Sequence, residues 1–155
     1  MESMNKIDSV KENAYYAGFF DGEGSVSICR HYENKKTLVT IVSISQVDPR
    51  PLHRLKEKYG GSLMLLKNKP AKAGGTSKPI WRWQVSNRQI EPFLQDIYPY
   101  LVVKKDEVEL ALSIRKTMRV KKEQGFWRKT PEDVAVERER VYKKYIDLRV
   151  VGGAK

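Results

Sequence analysis

A chain of 155 residues is long enough for one domain with its own core and short for two. Thirty Lys and Arg against nineteen Asp and Glu leave a net charge of +11, which favours a polyanionic partner, nucleic acid first, over a small neutral ligand. The single cysteine, Cys29, excludes an internal disulfide framework and a multi-cysteine zinc site, and no run of about 20 apolar residues offers a membrane span.

The opening MESMNKIDSVKEN has neither the apolar centre of a signal peptide nor the Arg-rich, acid-poor make-up of a transit peptide, so the protein is expected to work where it is made. Residues 1–12 read as an N-terminal tail, and Asn13 is placed to cap a helix running to about Gly22. Within AYYAGFFDGEGSVSI, Ala14 to Ile28, helical packing gives way to strand alternation from Gly24, so Asp21 and Glu23 fall at the helix C-terminus. That end carries roughly half a negative charge, and acids there cost stability unless a cation offsets them. A bound metal is one such cation.

Ser25 to Tyr32 alternates, with Val26 and Ile28 on one face and Ser27, Cys29 and His31 on the other, as a half-buried strand does. After HYENKK, Leu38 to Gln46 is β-branched and almost continuously apolar, a strand whose two faces parity does not separate. DPRPLHRLKEKYGG predicts a short helix with Pro51 in its first turn and a Gly pair ending it. SLMLLKNK and PIWRWQVS predict a second strand pair around the basic, Gly-rich loop PAKAGGTSK. Arg88 to Tyr100 and Lys104 to Met118 have helical apolar spacing, separated near Pro99. Residues 13–118 make one core on this reading. Residues 119–155 are a charged linker and an amphipathic helix, with Thr130 as its cap, Pro131 at its first position and a stripe of Val134, Val141, Tyr145 and Leu148. That helix either packs on its own domain or turns its basic face to phosphates.

Ala14, Gly18 and Gly22 recur every four residues, with Ala17 beside them, as a stripe nearly free of side chains. A helical Gly costs about 1 kcal/mol relative to Ala, so two on one face imply close packing against another helix. The partner is either a helix of the same chain or the same helix of a second copy.

With the stripe, the DGEG junction and the following strand in hand, the sequence resembles the LAGLIDADG homing endonuclease family. AGFFDGEGS matches the family signature, TIVSISQVDPRPLHRLKEKYGG resembles the second strand and its helix, and WRWQVSNRQIEPFLQDIYPYLVVKK resembles the fourth strand and the helix pair. The resemblance covers roughly Ala14 to Met118. It implies an α+β fold of order αββαββα, a saddle-shaped antiparallel four-stranded sheet straddling DNA with helices on one face, here with an added C-terminal helix. Members with one motif are homodimers, which would put Ala14, Ala17, Gly18, Asp21 and Gly22 at a dimer interface.

By position, the resemblance makes Glu23 the carboxylate that binds the catalytic metal, with the carbonyl of Gly22 as a further oxygen ligand, and gives Asp21 a structural job around the helix ends. Mg²⁺ is the implied cofactor, with Mn²⁺ or Ca²⁺ able to substitute, since hard cations take carboxylate, carbonyl and water oxygens. Gln46 and Lys104 occupy the matching second-layer positions, and Arg50 is a weaker third. Two Glu23 carboxylates at a dimer axis would support metal-dependent hydrolysis of both strands of a long, nearly palindromic DNA target. His31 and His53 lack the companions of a His-based nuclease. The alternatives are an RNA maturase, whose partner would be its host intron RNA, and a DNA-binding regulator without cleavage. The implied location is the compartment holding the host DNA, a prokaryotic cytoplasm, archaea included, or an organelle.

A two-stranded ribbon fits the major groove, and side chains two apart share a face, so base reading is expected from Ser27, Cys29 and His31 on the first strand and from Arg82 and Gln84 on the fourth. Trp81 and Trp83 fall on the opposite, core face. Lys35 and Lys36 in the first loop, Lys67 and Lys69, and Lys72 and Lys78 in the second hairpin loop are the candidate phosphate contacts.

Overall fold

The first helix starts well before its expected cap. The computed structural model describes residues 2–33, 37–66, 78–118 and 131–152, and helix α1 spans Glu2–Glu23. The tail expected at residues 1–12 and the helix start expected at Asn13 are therefore corrected. ESMNKIDSVKEN contains no Gly or Pro to stop a helix, and Glu12 and Asn13 are used from within it. Both accept hydrogen bonds from Lys58 Nζ, at 2.8 and 3.3 Å, which tie α1 to the second helix.

From α1 the chain passes directly into β1 (Gly24–Arg30), then β2 (Leu38–Gln46), α2 (Arg50–Tyr59), β3 (Ser62–Leu66) and β4 (Ile80–Ser86). Helix α3 (Ile90–Ile97) sits between two short helical turns, Asn87–Gln89 and Tyr98–Tyr100, and is followed by α4 (Lys105–Thr117) and α5 (Glu132–Gly152). The strands form one antiparallel sheet in the order β1-β2-β4-β3. The α2–β3 turn needs its Gly pair. Gly60 and Gly61 have φ of 73° and 86°, and a Cβ on Gly61 would collide with the backbone carbonyl of Gln84.

Helices α1 to α4 pack against the inner face of the sheet. Val26 and Ile28 from β1, Leu38, Val42 and Ile44 from β2, and Trp83 and Val85 from β4 are buried there. Phe93 of α3 lies at the centre, edge-on to Trp83, Tyr59 and Phe20 with ring centroids 5.0, 5.2 and 5.6 Å away. Such aromatic pairs add about 0.5–1.5 kcal/mol each beyond the area they bury. The Nε1–H of Trp83 donates to the carbonyl of Gly60 at 2.9 Å, so the largest core side chain leaves no polar atom unpaired. The burial also resolves β2, where Leu38, Thr40, Val42 and Ile44 face inward and Val39, Ile41, Ser43 and Ser45 face outward. Val39 and Ile41 on the outer face are what hide this alternation in the sequence.

Helix α5 packs on its own domain. Val141 and Tyr145 are buried, while Leu148 is exposed and drops out of the expected stripe. The Tyr145 hydroxyl donates to the carbonyl of Val26 at 3.0 Å, and Arg149 donates to the same carbonyl at 3.3 Å and to the Tyr145 oxygen at 2.7 Å. Arg30, at the end of β1, forks onto Glu139 at 2.8 and 2.9 Å with its guanidinium 4.7 Å above the ring of Tyr142. Because β1 is an edge strand, α5 occupies a backbone acceptor, the Val26 carbonyl, that would otherwise be open to pairing with another chain. Among the described residues no helix is long and apolar enough to cross a membrane.

One inward position is mismatched. Thr40 is fully buried, and its Oγ1 has no hydrogen-bond partner among the described residues. Thr40→Val keeps the shape and removes the unpaired group, so it is expected to raise stability by about 1 kcal/mol and the melting temperature by about 2–4 °C in a thermal denaturation.

Candidate active site

The passage from α1 to β1 is made without a loop, and Gly24 permits it. A Cβ at that position would collide with the ring and the carbonyl of Phe20, the buried residue one turn earlier. Gly24 then pairs with Ile44 near the end of β2, so Gln46, two residues further on, stands at the same end of the sheet as Glu23. The Gln46 side-chain oxygen accepts the amide of Val47 at 2.7 Å.

The acids at this junction are handled in two different ways. Asp21 turns its carboxylate to the segment leading into α4 and accepts the amides of Val102, Lys104 and Val103 at 2.8, 2.9 and 3.2 Å. Its charge therefore lies at the positive, N-terminal end of α4, where it is stabilising. Burial raises its pKa, but the amides of Val102, Lys104 and Val103 and the Lys104 ammonium outweigh that and hold it below the usual carboxylate value. Lys104 in turn donates its Nζ to the backbone carbonyl of Asp21. The cation that offsets the C-terminal end of α1 is thus a lysine of the chain itself.

Glu23 is treated otherwise. It is exposed and has no hydrogen-bond or ion-pair partner among the described residues. Its carboxylate and the nearby carbonyl of the exposed Gly22 are hard oxygen donors, chemically suited to Mg²⁺. Among the described residues no three His, Cys, Asp or Glu side chains come together. Mg²⁺ accepts few protein ligands, because it retains waters and takes the remaining oxygens from substrate phosphates.

Of the expected second layer, Gln46 closes β2 at this end of the sheet, Lys104 bonds to the last turn of α1, and Arg50 is engaged by a neighbouring acid. Arg50 lies exposed at the start of α2, where its Nε donates to both oxygens of Asp48 at 3.0 and 2.9 Å. The Arg50 hydrogen bonds hold the Asp48 carboxyl down at about 2.

The small-residue stripe divides. Ala14, Gly18 and Gly22 are exposed, and a Cβ at Gly18 or Gly22 would meet nothing within 4 Å. Ala17 is fully buried against the core, which corrects its expected place on an outer face. It lies roughly 100° around the helix from Gly18. Asp21 is half-buried, and its carboxylate is bonded to the segment leading into α4.

The sheet face away from the helices is open. Strand register aligns Ser25, Ser43, Gln84 and Ser62 in one row, Ser45, Arg82 and Met64 in the next, and Ser27, Ile41 and Ser86 on the other side. Arg82 Nε donates to Ser45 Oγ at 3.1 Å, and the Oγ atoms of Ser25 and Ser43 are 3.3 Å apart. Cys29 is exposed beside Val39 on this face. Ser27, Cys29, Arg82 and Gln84 therefore share one surface. His31 does not belong to the strand, which ends at Arg30; its amide closes the loop onto the Thr37 carbonyl at 2.8 Å. Ser25, Ser43, Ser45 and Ser62 were not expected on this face. The spacing of Ser43 and Ser45 was the available signal, masked by the apolar Val39 and Ile41. Lys78 is exposed just before β4, and Lys35, Lys36, Lys67, Lys69 and Lys72 lie outside the described residues.

No family model and no curated protein matches the sequence. Solved structures do match the fold. One is the homing endonuclease I-CvuI in complex with its target in the presence of 2 mM Ca, at TM-score 0.57 and 16% identity over 88% of this chain and 83% of that one. Another is the homing endonuclease I-TnaI, at TM-score 0.57 and 16% identity over 85% of this chain and 86% of that one. The LAGLIDADG homing endonuclease I-GzeII, solved with its DNA target, matches at TM-score 0.54 and 20% identity over 88% of this chain and 43% of its own.

The amide bonds of Asp21 set a pH dependence. A carboxyl whose pKa is lowered by folding contributes stability that is present above its unfolded value and lost as pH falls through the folded value. Asp21→Asn is expected to cost about 1–2 kcal/mol at pH 7 in denaturant titration. The gap from the unaltered protein should narrow steadily below about pH 4, where the unfolded carboxyl takes up its proton.

Proposed function

From a chain with the fold of the LAGLIDADG homing endonucleases, we propose a site-specific, divalent-metal-dependent DNA endonuclease that works as a homodimer. The observation that carries this reading is the exposed Glu23 carboxylate, without a partner among the described residues and set at a glycine-flanked junction at the same end of the sheet as Gln46 and Lys104. A structural acid at a helix C-terminus would be expected to find a cation, as the Asp21 carbonyl does in Lys104. The net charge of +11 and the open, polar sheet face supply the electrostatics and the surface for duplex DNA.

In this reading Glu23 and the Gly22 carbonyl hold Mg²⁺, with Mn²⁺ or Ca²⁺ as substitutes. When bound, the cation lowers the pKa of an attacking water and stabilises the leaving 3′-oxygen. Gln46 orients water through its side-chain amide, and Lys104 offsets negative charge on the scissile phosphate. Arg82 and Gln84 are suited to guanine and adenine edges respectively. A second copy docked on Ala14, Gly18 and Gly22 brings two such sites to one axis, which makes the target nearly palindromic. The protein acts in the compartment that holds its host DNA.

Incubation with a randomised duplex library and Mg²⁺, followed by sequencing of the ends, tests cleavage, site and symmetry together. Glu23→Gln is expected to abolish cleavage while specific binding in Ca²⁺ stays within about tenfold, because phosphate contacts are untouched. Uncut ends with the unaltered protein, and binding to a defined site, would favour the regulator instead.

Gly18→Leu tests the assembly cleanly. A Cβ at this exposed position meets nothing within 4 Å in a single chain, so the substitution is expected to leave the fold of each chain intact. Light scattering should show a dimer before the change and a monomer after it, with the melting transition of each chain retained. A monomer at micromolar concentration before the change would remove the shared axis.

A further inference from the structure

The geometry points to Asp21 as a positioning residue for Lys104, acting through the backbone of 102–104 without touching substrate; the assignment rests on the nuclease reading for its catalytic consequence but not for its structural one. Two kinds of contact join the residues in opposite directions. The Asp21 carboxylate accepts the amides of Val102, Val103 and Lys104, and the Asp21 carbonyl accepts the Lys104 ammonium. The lysine is therefore held at its backbone and at its tip by one residue, two positions before Glu23.

The economy of the local sequence supports this. Val102 and Val103 are 82% and 73% exposed, so their side chains pack on little that would hold the turn. The residue that caps α4, Lys104 itself, makes no side-chain cap bond. The carboxylate of Asp21 is the group that fixes this turn, and with it the origin of the lysine side chain. A flexible four-carbon stem would otherwise spread the ammonium over many rotamers. Restricting it to the last turn of α1 confines its charge to the neighbourhood of Glu23, and misplacement of a charged group at a reacting centre by about 1 Å costs on the order of 100-fold in rate.

The experiment compares Asp21→Asn, Asp21→Ala, Lys104→Ala and the double variant Asp21→Ala/Lys104→Ala. In DNA-free protein, hydrogen exchange at the Lys104 Nζ, followed by ¹⁵N NMR, should be slowest with Asp21, faster with Asn and fastest with Ala, since the amide keeps one acceptor oxygen and alanine none. Single-turnover cleavage of a saturating duplex should follow the same order, with Asp21→Ala slower by about 10- to 100-fold and binding in Ca²⁺ unchanged within about threefold. The double variant should be no slower than Lys104→Ala alone. Equal exchange at Lys104 in all three forms would overturn the assignment, as would a double variant whose loss is the product of the two single losses. If the protein cuts no DNA, the exchange measurement still decides the positioning role, and only the nuclease reading fails.

Discussion

The bond set around Asp21 organises this molecule. A helix that runs straight into a strand leaves its last carbonyls without partners, and this one also carries two acids in its last turn. The chain resolves the first acid by sending it to the N-terminal end of α4 and by bringing Lys104 back to the carbonyl of the same residue. Two helix ends of opposite polarity are neutralised at one point. Since α4 packs against β1 and β2, that point also ties the helix layer to the end of the sheet where the chain turns between elements.

What remains after this neutralisation is Glu23. Its neighbours fix the backbone on either side, Asp21 by hydrogen bonding and Gly24 by its close approach to Phe20. The carboxylate itself is left exposed on a rigid support. A fixed backbone lowers the ordering cost that any ligand of this carboxylate has to meet, while its desolvation cost is still to be met on binding.

The free edge of the sheet at β1 poses a different problem. An edge strand such as β1 offers unpaired backbone groups, and α5 takes up the Val26 carbonyl through Tyr145 and Arg149 and clamps Arg30 through Glu139 and Tyr142. The helix protects the edge while leaving the outer sheet face clear, so the rows containing Ser43, Gln84, Ser45 and Arg82 stay open as one surface. Placing α5 across that face would have buried Arg82 and Gln84 with few partners, at the cost that attends any unpaired polar group.

By itself the sequence determined the element order, the strand at Leu38–Gln46, the Gly pair ending α2 and the junction at DGEG, because each depends on short-range steric and hydrogen-bonding preferences of particular residues. It also placed Trp83 in the core and separated Arg82 and Gln84 from it by parity. Tertiary structure alone decided that Ala17 faces inward while Gly18 stays open and that the counter-charge for α1 is Lys104. Those outcomes turn on which residues from distant parts of the chain are brought into contact. Lys104 is 83 positions from Asp21, and no local propensity encodes a contact whose partners meet only when the sheet has folded beneath both helices.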